Sequence, residues 1–298
     1  MGQNEQVAVV GAGLMGTGIA HAFVSSGHTV TLIDSQAAAL DKAHHSIAKI
    51  LSDGVRLGKL SAADAAAAGQ RLHYAASLAL APTDTVLVVE TATENLPIKQ
   101  TLVREAEARF AVTAVIATNT SALSITEIAS AAKIPSRVIG MHFFNPVHKM
   151  KLVEIVRGLE TSDGTVARVR AWSAAIGKTS IEVNEAPGFT TSRISALLGN
   201  EAMCMLAEGV ASAEDIDTAM RMAFNHPMGP LELGDLTGWD TRLTVLQYLH
   251  QTLGEKFRPC PLIHKLVKAG RYGRKVGRGV YEYDDQGGKV PNSAIKVF

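Results

Sequence analysis

The amino-acid sequence predicts an α/β protein in two parts: a doubly wound, mostly parallel sheet, followed by a smaller domain made only of helices. Three observations support this prediction. Patterns typical of short buried strands alternate with helical patterns through the first half of the chain. A glycine-rich turn joins the first strand pattern to the first helix pattern. Beyond Glu185-Ala-Pro-Gly-Phe189, almost every apolar pattern has the period of a helix.

The elements follow one another in a regular order. We predict strands at residues 6–10, 29–33, 85–90, 115–118, 138–143, 152–156 and 181–183. We predict helices of the first part at residues 14–26, 37–51, 61–69, 96–110 and 125–132. Helices of the second part are predicted at residues 191–208, 213–223, 240–252 and 262–269. Pro187 and Gly188 interrupt regular structure between the two parts, so we place a domain boundary there, with domains at residues 1–185 and 186–298.

Composition excludes several classes of protein. The chain has 298 residues, 47% of them hydrophobic and 19% charged, which is typical of a globular fold and not of a disordered chain. Its net charge of +1 gives no reason to expect nucleic acid or a membrane surface as partner. Cys204 and Cys260 form no CxxC motif, so no metal site is expected. Few residues precede the first strand, and we therefore expect no targeting peptide and a cytoplasmic location.

The glycine-rich turn predicts a dinucleotide site. It has the GxGxxG form, and it follows a strand and opens a helix, which gives the short motif its weight. One glycine permits a tight turn, the next lets the backbone approach a pyrophosphate, and the third lets helix and strand pack closely. The helix N-terminus directs its N–H groups toward the phosphates. The predicted cofactor-binding residues of this turn are Gly11, Ala12, Gly13, Leu14, Met15 and Gly16.

Asp34 predicts which dinucleotide binds. It follows directly on the second predicted strand, where an acid can accept a hydrogen bond from the 2′-hydroxyl of the adenosine ribose. The same carboxylate would repel a 2′-phosphate. The sequence therefore favours NAD over NADP.

A histidine and a glutamate predict the chemistry. His142 lies near the end of one apolar strand pattern and Glu154 lies inside the next. Oxidation of an alcohol leaves a proton that a base must accept, and imidazole is suited to this role near neutral pH. A carboxylate on the second ring nitrogen would fix the tautomer, provided that the two strands are adjacent. The alternative is a histidine with a purely structural role.

Several segments together resemble the L-3-hydroxyacyl-CoA dehydrogenases, and most closely the single-function bacterial members that act on 3-hydroxybutyryl-CoA. The resemblance covers nearly the whole chain in the same order. The segments that carry it are Leu14-Met-Gly16, Val89-Glu-Thr-Ala-Thr-Glu-Asn95, Thr118-Asn-Thr-Ser121, His142-Phe-Phe-Asn-Pro146, Leu152-Val-Glu154, Pro187-Gly-Phe189 and His226-Pro-Met-Gly-Pro230.

This resemblance implies an activity and roles for particular residues. The activity would be NAD-dependent oxidation of L-3-hydroxyacyl-CoA to 3-ketoacyl-CoA, and the reverse, in fatty-acid metabolism. His142 would be the base, oriented by Glu154, and Ser121 would hydrogen-bond the 3-oxygen of the substrate. The implied cofactor contacts are Glu94, Lys99, Asn145 and Lys275, and the implied coenzyme A contacts are Arg56 and Lys59. Surface positions without a ligand are the alternative for the charged residues, and helix capping is the alternative for Ser121.

The sequence departs from the family at one catalytic position. The family has Asn before the arginine that follows Pro-Gly-Phe, whereas this chain has Ser192. A hydroxyl can donate one hydrogen bond but lacks the second group of an amide. Asn200 is a weaker candidate for the missing role. Two other functions therefore stay open: a dehydrogenase of a free hydroxy or sugar acid, and a non-catalytic NAD-binding protein of the crystallin type.

The helical domain is expected to form a homodimer. The predicted helix at residues 191–208 carries more apolar side chains than one buried face needs. These side chains are Ala196, Leu197, Ala202, Met203, Met205 and Leu206. The resemblance implies the same arrangement, because members of the family dimerise through this domain.

Overall fold

A computed structural model describes residues 4–297 and divides into two compact units between Ala186 and Pro187. The described residues of the first unit form eight strands and six α-helices. The strands are β1 Gln6–Val10, β2 Thr29–Ile33, β3 Leu72–Ala75, β4 Leu87–Glu90, β5 Val115–Thr118, β6 Val138–Phe143, β7 Leu152–Arg157 and β8 Thr179–Asn184. The helices are α1 Leu14–Ser25, α2 Ala37–Arg56, α3 Ala62–Gln70, α4 Leu96–Arg109, α5 Ile125–Ala129 and α6 Asp163–Ala175.

All eight strands form one sheet in the order β3-β2-β1-β4-β5-β6-β7-β8. Strands β1 to β6 are parallel, whereas β7 is antiparallel to β6 and β8 is parallel to β7. The predicted α/β class and mostly parallel sheet are confirmed, and the reversal at β7 is the one departure from a parallel arrangement. Two elements, β3 and α6, were not predicted from the sequence.

Apolar layers cover both faces of the sheet. Val7 and Val9 of β1 belong to a cluster that includes residues of α1, α2 and α6. Ala8 and Val10, whose side chains alternate with them, belong to a second cluster with residues of α4 and α5. This alternation is what a strand buried on both faces requires, and it explains why the strands are almost continuously apolar in the sequence.

The second unit is helical around a core of its own. Its helices are α7 Thr191–Ala207, α8 Ala213–Phe224, α9 Pro230–Thr237, α10 Trp239–Leu253 and α11 Pro261–Lys268. Asp235 is fully buried and accepts hydrogen bonds from the Trp239 indole at 2.6 Å, the Val280 N–H at 2.7 Å and the Tyr281 N–H at 2.8 Å. This carboxylate therefore ties the segment after α11 to α9 and α10. Helix α9 was not predicted from the sequence.

Within residues 4–297, no helix has the length and apolar character needed to cross a membrane. The same residues contain no group of three or more histidine, cysteine, aspartate or glutamate side chains arranged to hold a metal ion.

One half-buried histidine should make the first unit sensitive to acid. His21 lies on α1, and its Nδ1 atom is buried without a hydrogen-bond partner within residues 4–297. Burial, together with the nearby His148 and Lys178 side chains, lowers the pKa of His21 from 6.5 to about 4. The unfolded chain therefore takes up a proton between these pH values while the folded chain does not, so stability falls as the pH drops from 6.5 to about 4.

Replacement of His21 should remove part of this acid sensitivity. We expect wild type to lose about 1–3 kcal/mol of stability relative to His21→Gln between neutral pH and the lower of the two pKa values. Thermal unfolding of both proteins at pH values above and below this range measures the difference. An identical pH dependence in the two proteins would contradict the assignment.

Candidate active site

The turn between β1 and α1 has open space at one of its three motif glycines. Gly11 has a φ angle of +99°, and a Cβ there would lie 2.8 Å from Thr91 Oγ1. A Cβ at Gly16 would lie 1.8 Å from the Gly11 carbonyl oxygen. At Gly13, by contrast, a Cβ would meet nothing within 4 Å. Packing within the protein thus requires glycine at Gly11 and Gly16, whereas Gly13 leaves room for a ligand to reach the backbone.

The N-terminus of α1 is open to an anion. Gly13 is the N-cap residue, and its lack of a side chain leaves the first helical turn without a side-chain cap. The first turn begins with Leu14, whose side chain is 71% exposed, and continues with the partly buried Met15. These features suit a pyrophosphate, which N–H groups at a helix N-terminus bind well.

Asp34 lies beside this turn. Its carboxylate accepts hydrogen bonds from the Ala12 N–H at 2.8 Å and the Gln36 N–H at 2.9 Å. Asp34 also lines a cleft of about 330 Å³ whose walls include the apolar side chains of Ile33, Ile98 and Leu102. A carboxylate at the edge of an apolar cleft fits the ribose and adenine of a dinucleotide. The Ala12 N–H is already bonded to Asp34, so this group holds the carboxylate in place.

His142 and Glu154 form a buried pair. They are directly opposite each other in the antiparallel pairing of β6 with β7, and His142 Nδ1 lies 2.7 Å from Glu154 Oε2. His142 is 7% exposed and Glu154 is fully buried. Side chains directly opposite each other in a sheet lie on the same face. The antiparallel strand β7 therefore brings the Glu154 carboxylate into contact with the His142 imidazole. The structure therefore brings together the two residues that the sequence proposed as a pair.

Two neighbours surround the histidine. The Phe144 ring lies 4.6 Å from the His142 ring, measured between centroids. The Asn119 carboxamide accepts a hydrogen bond from the Phe143 N–H at 2.8 Å, which fixes the end of β6 to the loop after β5. Sequence reasoning assigned no role to Asn119, although it lies in the segment that carries Ser121. Farther along, the exposed Asn145 lines a cavity of about 210 Å³ together with Ala12, Gly13 and Leu14.

Ser121 is exposed, and Glu94 holds the loop that carries it. The Glu94 carboxylate accepts hydrogen bonds from the Thr120 hydroxyl at 2.5 Å, from the Ser121 N–H at 3.1 Å and from the Ala122 N–H at 3.3 Å. The Ser121 hydroxyl lies 3.5 Å from the same carboxylate oxygen. One carboxylate thus orders the turn and sets the position of Ser121.

Lys99 is buried rather than solvated. It is 1% exposed, and its Nζ donates to both carboxylate oxygens of Glu90 at 2.9 Å while lying 3.5 Å from Glu94 Oε2. Glu90 is 2% exposed and also accepts from the Thr118 hydroxyl at 2.6 Å. Glu90 was not predicted from the sequence as part of the site. The burial of Lys99 was detectable, because it shares the buried face of α4 with the apolar Val103.

The remaining predicted residues lie at the end of α2 and in the second unit. Arg56 ends α2 and bonds Asp53 at 2.9 Å on the surface, and Lys59 is exposed in the turn that follows. Ser192 and Lys275 belong to the second unit, where Ser192 is half-buried in the first turn of α7 and Lys275 Nζ lies 2.6 Å from Asp240.

Asn200 does not replace the missing asparagine at position 192. Its amide group donates to the Arg258 carbonyl at 2.9 Å, and its carbonyl accepts from the Cys260 N–H at 2.8 Å. Both groups of this side chain are therefore used to hold α7 to the segment before α11.

The chain is similar over nearly its whole length to proteins of one family. The chain matches the model of the 3-hydroxyacyl-CoA dehydrogenase NAD binding domain over residues 6–186, and that of the 3-hydroxyacyl-CoA dehydrogenase C-terminal domain over residues 188–283. It is 41% identical to the probable 3-hydroxybutyryl-CoA dehydrogenase of Bacillus subtilis, with 95% of this chain and 98% of the relative covered. It is 42% identical to the 3-hydroxybutyryl-CoA dehydrogenase of Clostridioides difficile, with 94% and 99% covered. The crystal structure of (S)-3-hydroxybutyryl-CoA dehydrogenase from Ralstonia eutropha is similar with a TM-score of 0.90, 43% identity, and coverage of 95% of this chain and all of that one.

Proposed function

The chain belongs to the 3-hydroxyacyl-CoA dehydrogenase family, and on that premise we propose that it interconverts short-chain L-3-hydroxyacyl-CoA and 3-ketoacyl-CoA, with His142 as general base. It is an NAD-dependent oxidoreductase. We take 3-hydroxybutyryl-CoA as the preferred substrate, because relatives named for that substrate match over nearly their whole length.

The contact between His142 and Glu154 carries this proposal. With the imidazole Nδ1–H donated to Glu154 at 2.7 Å, the neutral ring has its lone pair on Nε2. That nitrogen accepts the proton of the substrate 3-hydroxyl, and the buried carboxylate stabilises the imidazolium that forms. Bound NAD supplies the hydride acceptor. In the reverse direction the imidazolium returns the proton to the 3-oxygen.

Ser121 binds the same oxygen in this proposal. Its hydroxyl donates a hydrogen bond to the 3-oxygen, which gains negative charge as its proton leaves. The hydrogen bonds from the Ser121 and Ala122 N–H groups to Glu94 keep the loop in place before substrate arrives. Placement of the donor in advance limits the reorganisation that the reaction requires.

The cofactor is held by the glycine turn and its surroundings. We propose that Gly13, Leu14 and Met15 hold the pyrophosphate, and that Asp34 binds the ribose of the adenosine. Asn145 would lie beside the nicotinamide, because it lines a cavity together with the glycine turn. Glu94 would contact the ribose of the nicotinamide, and the buried Lys99 would act through Glu94. Lys275 remains a proposed contact from the second unit.

Ser192 is the proposed fourth polar group of the site. One neutral hydrogen bond contributes roughly 1 kcal/mol, so we expect Ser192→Ala to lower kcat/KM about 3- to 10-fold. Ser192→Asn should retain or raise kcat/KM, because the longer amide carries its donor and its acceptor on two separate atoms and can make both hydrogen bonds at once. Steady-state kinetics with thermal unfolding as the stability control measure both. An alanine variant with wild-type kcat/KM would remove Ser192 from the site.

Coenzyme A binding is proposed for the end of α2. Arg56 and Lys59 are exposed cations there, and Lys42 lines the cavity that also contains Asn145. Exposed cations of this kind attract phosphates in a salt-dependent manner. A CoA thioester would therefore gain binding energy that the free acid lacks.

A comparison of substrates tests the function directly. With NADH and purified protein, absorbance at the nicotinamide wavelength follows reduction of acetoacetyl-CoA, longer 3-ketoacyl-CoA thioesters and free acetoacetate. We expect acetoacetyl-CoA to have the highest kcat/KM, at least about 100-fold above the free acid, because binding energy from the remote CoA moiety is used in the transition state. A preference for free acetoacetate over the CoA thioesters would overturn the proposal in favour of a dehydrogenase of free acids.

We also propose a homodimer formed through α7. The structure corrects one part of the sequence argument: Ala196, Ala202, Met203 and Leu206 pack into the core of the second unit itself. Leu197, which was predicted, is exposed at 40%, and its exposed apolar neighbours on the helix are Ile194 at 61% and Leu198 at 39%. A contiguous apolar face of this kind favours a subunit contact. Light scattering after size exclusion at micromolar concentration should give the dimer mass, and a monomer mass would contradict the proposal.

The cytoplasmic location stays a prediction.

A further inference from the structure

Lys99 joins two carboxylates, those of Glu90 and Glu94, at the end of β4. Lys99 Nζ lies 2.9 Å from both carboxylate oxygens of Glu90 and 3.5 Å from Glu94 Oε2. Glu90 and Lys99 are almost inaccessible to water, at 2% and 1%, and Glu94 is 41% exposed. Two carboxylates and one ammonium group give this charge cluster a net formal charge of −1.

The charge cluster lies where a dinucleotide crosses an open α/β sheet. Glu90 ends β4 and is paired in register with Val10 at the end of β1 and with Thr118 at the end of β5. Ligands of such sheets bind beyond the carboxyl ends of the central strands. Glu94 extends the cluster to the loop of Ser121, because its carboxylate accepts a hydrogen bond from the Ser121 N–H at 3.1 Å. The cluster therefore reaches the group that the proposed function places on the reacting oxygen.

The two redox forms of the cofactor differ in charge at one place. The nicotinamide ring is cationic in NAD+ and neutral in NADH, while the pyrophosphate, both riboses and the adenine are the same. Contacts to these shared parts change the affinities for NAD+ and for NADH by the same factor. A local charge near the nicotinamide changes one affinity relative to the other, and solvent around a partly exposed group such as Glu94 weakens that effect without removing it.

We propose that the Glu90–Lys99–Glu94 cluster biases the protein toward NAD+ over NADH through its net negative charge. Glu94 supplies the uncompensated charge, while Lys99 neutralises Glu90 and limits the size of the bias. These residues are positioning and electrostatic groups and take no part in proton transfer. The inference rests on the proposed function only for the position of the nicotinamide near Ser121.

The size of the effect follows from elementary electrostatics. For unit charges about 8–10 Å apart at an effective dielectric constant of roughly 20–40, removal of one charge changes the ratio of the two affinities about 4- to 30-fold. A tenfold change in this ratio corresponds to about 30 mV in the potential of the bound two-electron couple. Both quantities are accessible without turnover.

The test measures dissociation constants for NAD+ and NADH by titration calorimetry in wild type and three variants. Glu94→Gln removes a negative charge, so the ratio Kd(NAD+)/Kd(NADH) should rise about 4- to 30-fold. Lys99→Met removes the positive charge and should lower the ratio. The double variant Glu90→Gln/Lys99→Met leaves the net charge at −1, so its ratio should stay within about twofold of wild type.

The double variant is the matched control, and it also avoids the unpaired buried carboxylate that Lys99→Met creates, which can prevent folding. An unchanged ratio in Glu94→Gln would overturn the inference, as would equal changes of the ratio in Glu94→Gln and in the double variant. Either result, with wild type still binding both forms and reducing acetoacetyl-CoA, leaves the proposed function intact. A wild-type protein that bound neither form would overturn both.

Discussion

His142→Gln should lower kcat for oxidation of 3-hydroxybutyryl-CoA by about 10²–10⁴-fold, the range typical of a lost general base. Glutamine approximates the size of the imidazole and can still bond Glu154, but it cannot accept the hydroxyl proton at neutral pH. The dissociation constant for NADH should stay close to wild type, because the glycine turn and Asp34 are separate from β6 in the sheet. Stopped-flow measurement of the chemical step with NADH titration gives both values.

His73→Gln is the matched control for this prediction. His73 is an exposed histidine of β3, at the far edge of the sheet from β6, and nothing in the proposed chemistry uses it. Its replacement should change kcat by less than the loss expected for the general base. If His142→Gln retained near-normal turnover, the base would have to be another group, and the dehydrogenase activity would then need a different proton acceptor.

Glu154→Gln should lower kcat by roughly 10- to 1000-fold while the folded state stays at least as stable. The carboxylate is fully buried and contacts His142 Nδ1 at 2.7 Å. An amide can present either its carbonyl or its N–H₂ group to that nitrogen, and the second choice stabilises the tautomer that cannot act as base. The loss of charge also removes stabilisation of the imidazolium. Because the amide of the variant is uncharged, folding no longer requires desolvation of a buried carboxylate, and the thermal midpoint should not fall.

Glu182→Gln serves as the comparison, because Glu182 lies on the neighbouring strand β8 and pairs at the surface with Arg157 and Arg170. That variant should have wild-type kcat. A double variant, His142→Gln/Glu154→Gln, should be little worse than His142→Gln alone, since residues that act as one unit are not additive. Additive losses would mean that Glu154 acts independently of the histidine.

The strands and helices with strong apolar patterns were predictable, and weakly patterned ones were not. The bounds of β1, β2, β5 and β6 follow directly from short apolar runs that are bordered by turn residues. Strand β3, Leu72–Ala75, lies at the edge of the sheet with only its last residue buried, so its sequence carries little apolar signal. Helix α9 starts at Pro230 and is short, and a proline-led segment resembles a turn.

The site was predictable where one residue type implies one chemistry. His142 with Glu154, the glycine turn and Asp34 could be proposed from the sequence, although only the sheet register places the pair in contact. Glu90 was missed because a glutamate at the end of an apolar strand does not indicate that a lysine nine positions later turns inward to meet it. Such a contact depends on the packing of α4 against the sheet, which the sequence does not specify locally.

The reversal of β7 has a consequence for how the chain tolerates change. Residues 144–151 connect two strands whose pairing, and not the length of the connection, sets His142 opposite Glu154. Insertions in that connection should therefore preserve the pair. A single-residue insertion or deletion within β6 or β7 would shift the register of that strand by one residue. Either His142 or Glu154 would then turn to the opposite face of the sheet. Catalysis therefore requires the register of the β6–β7 pairing as much as the identity of the two paired residues.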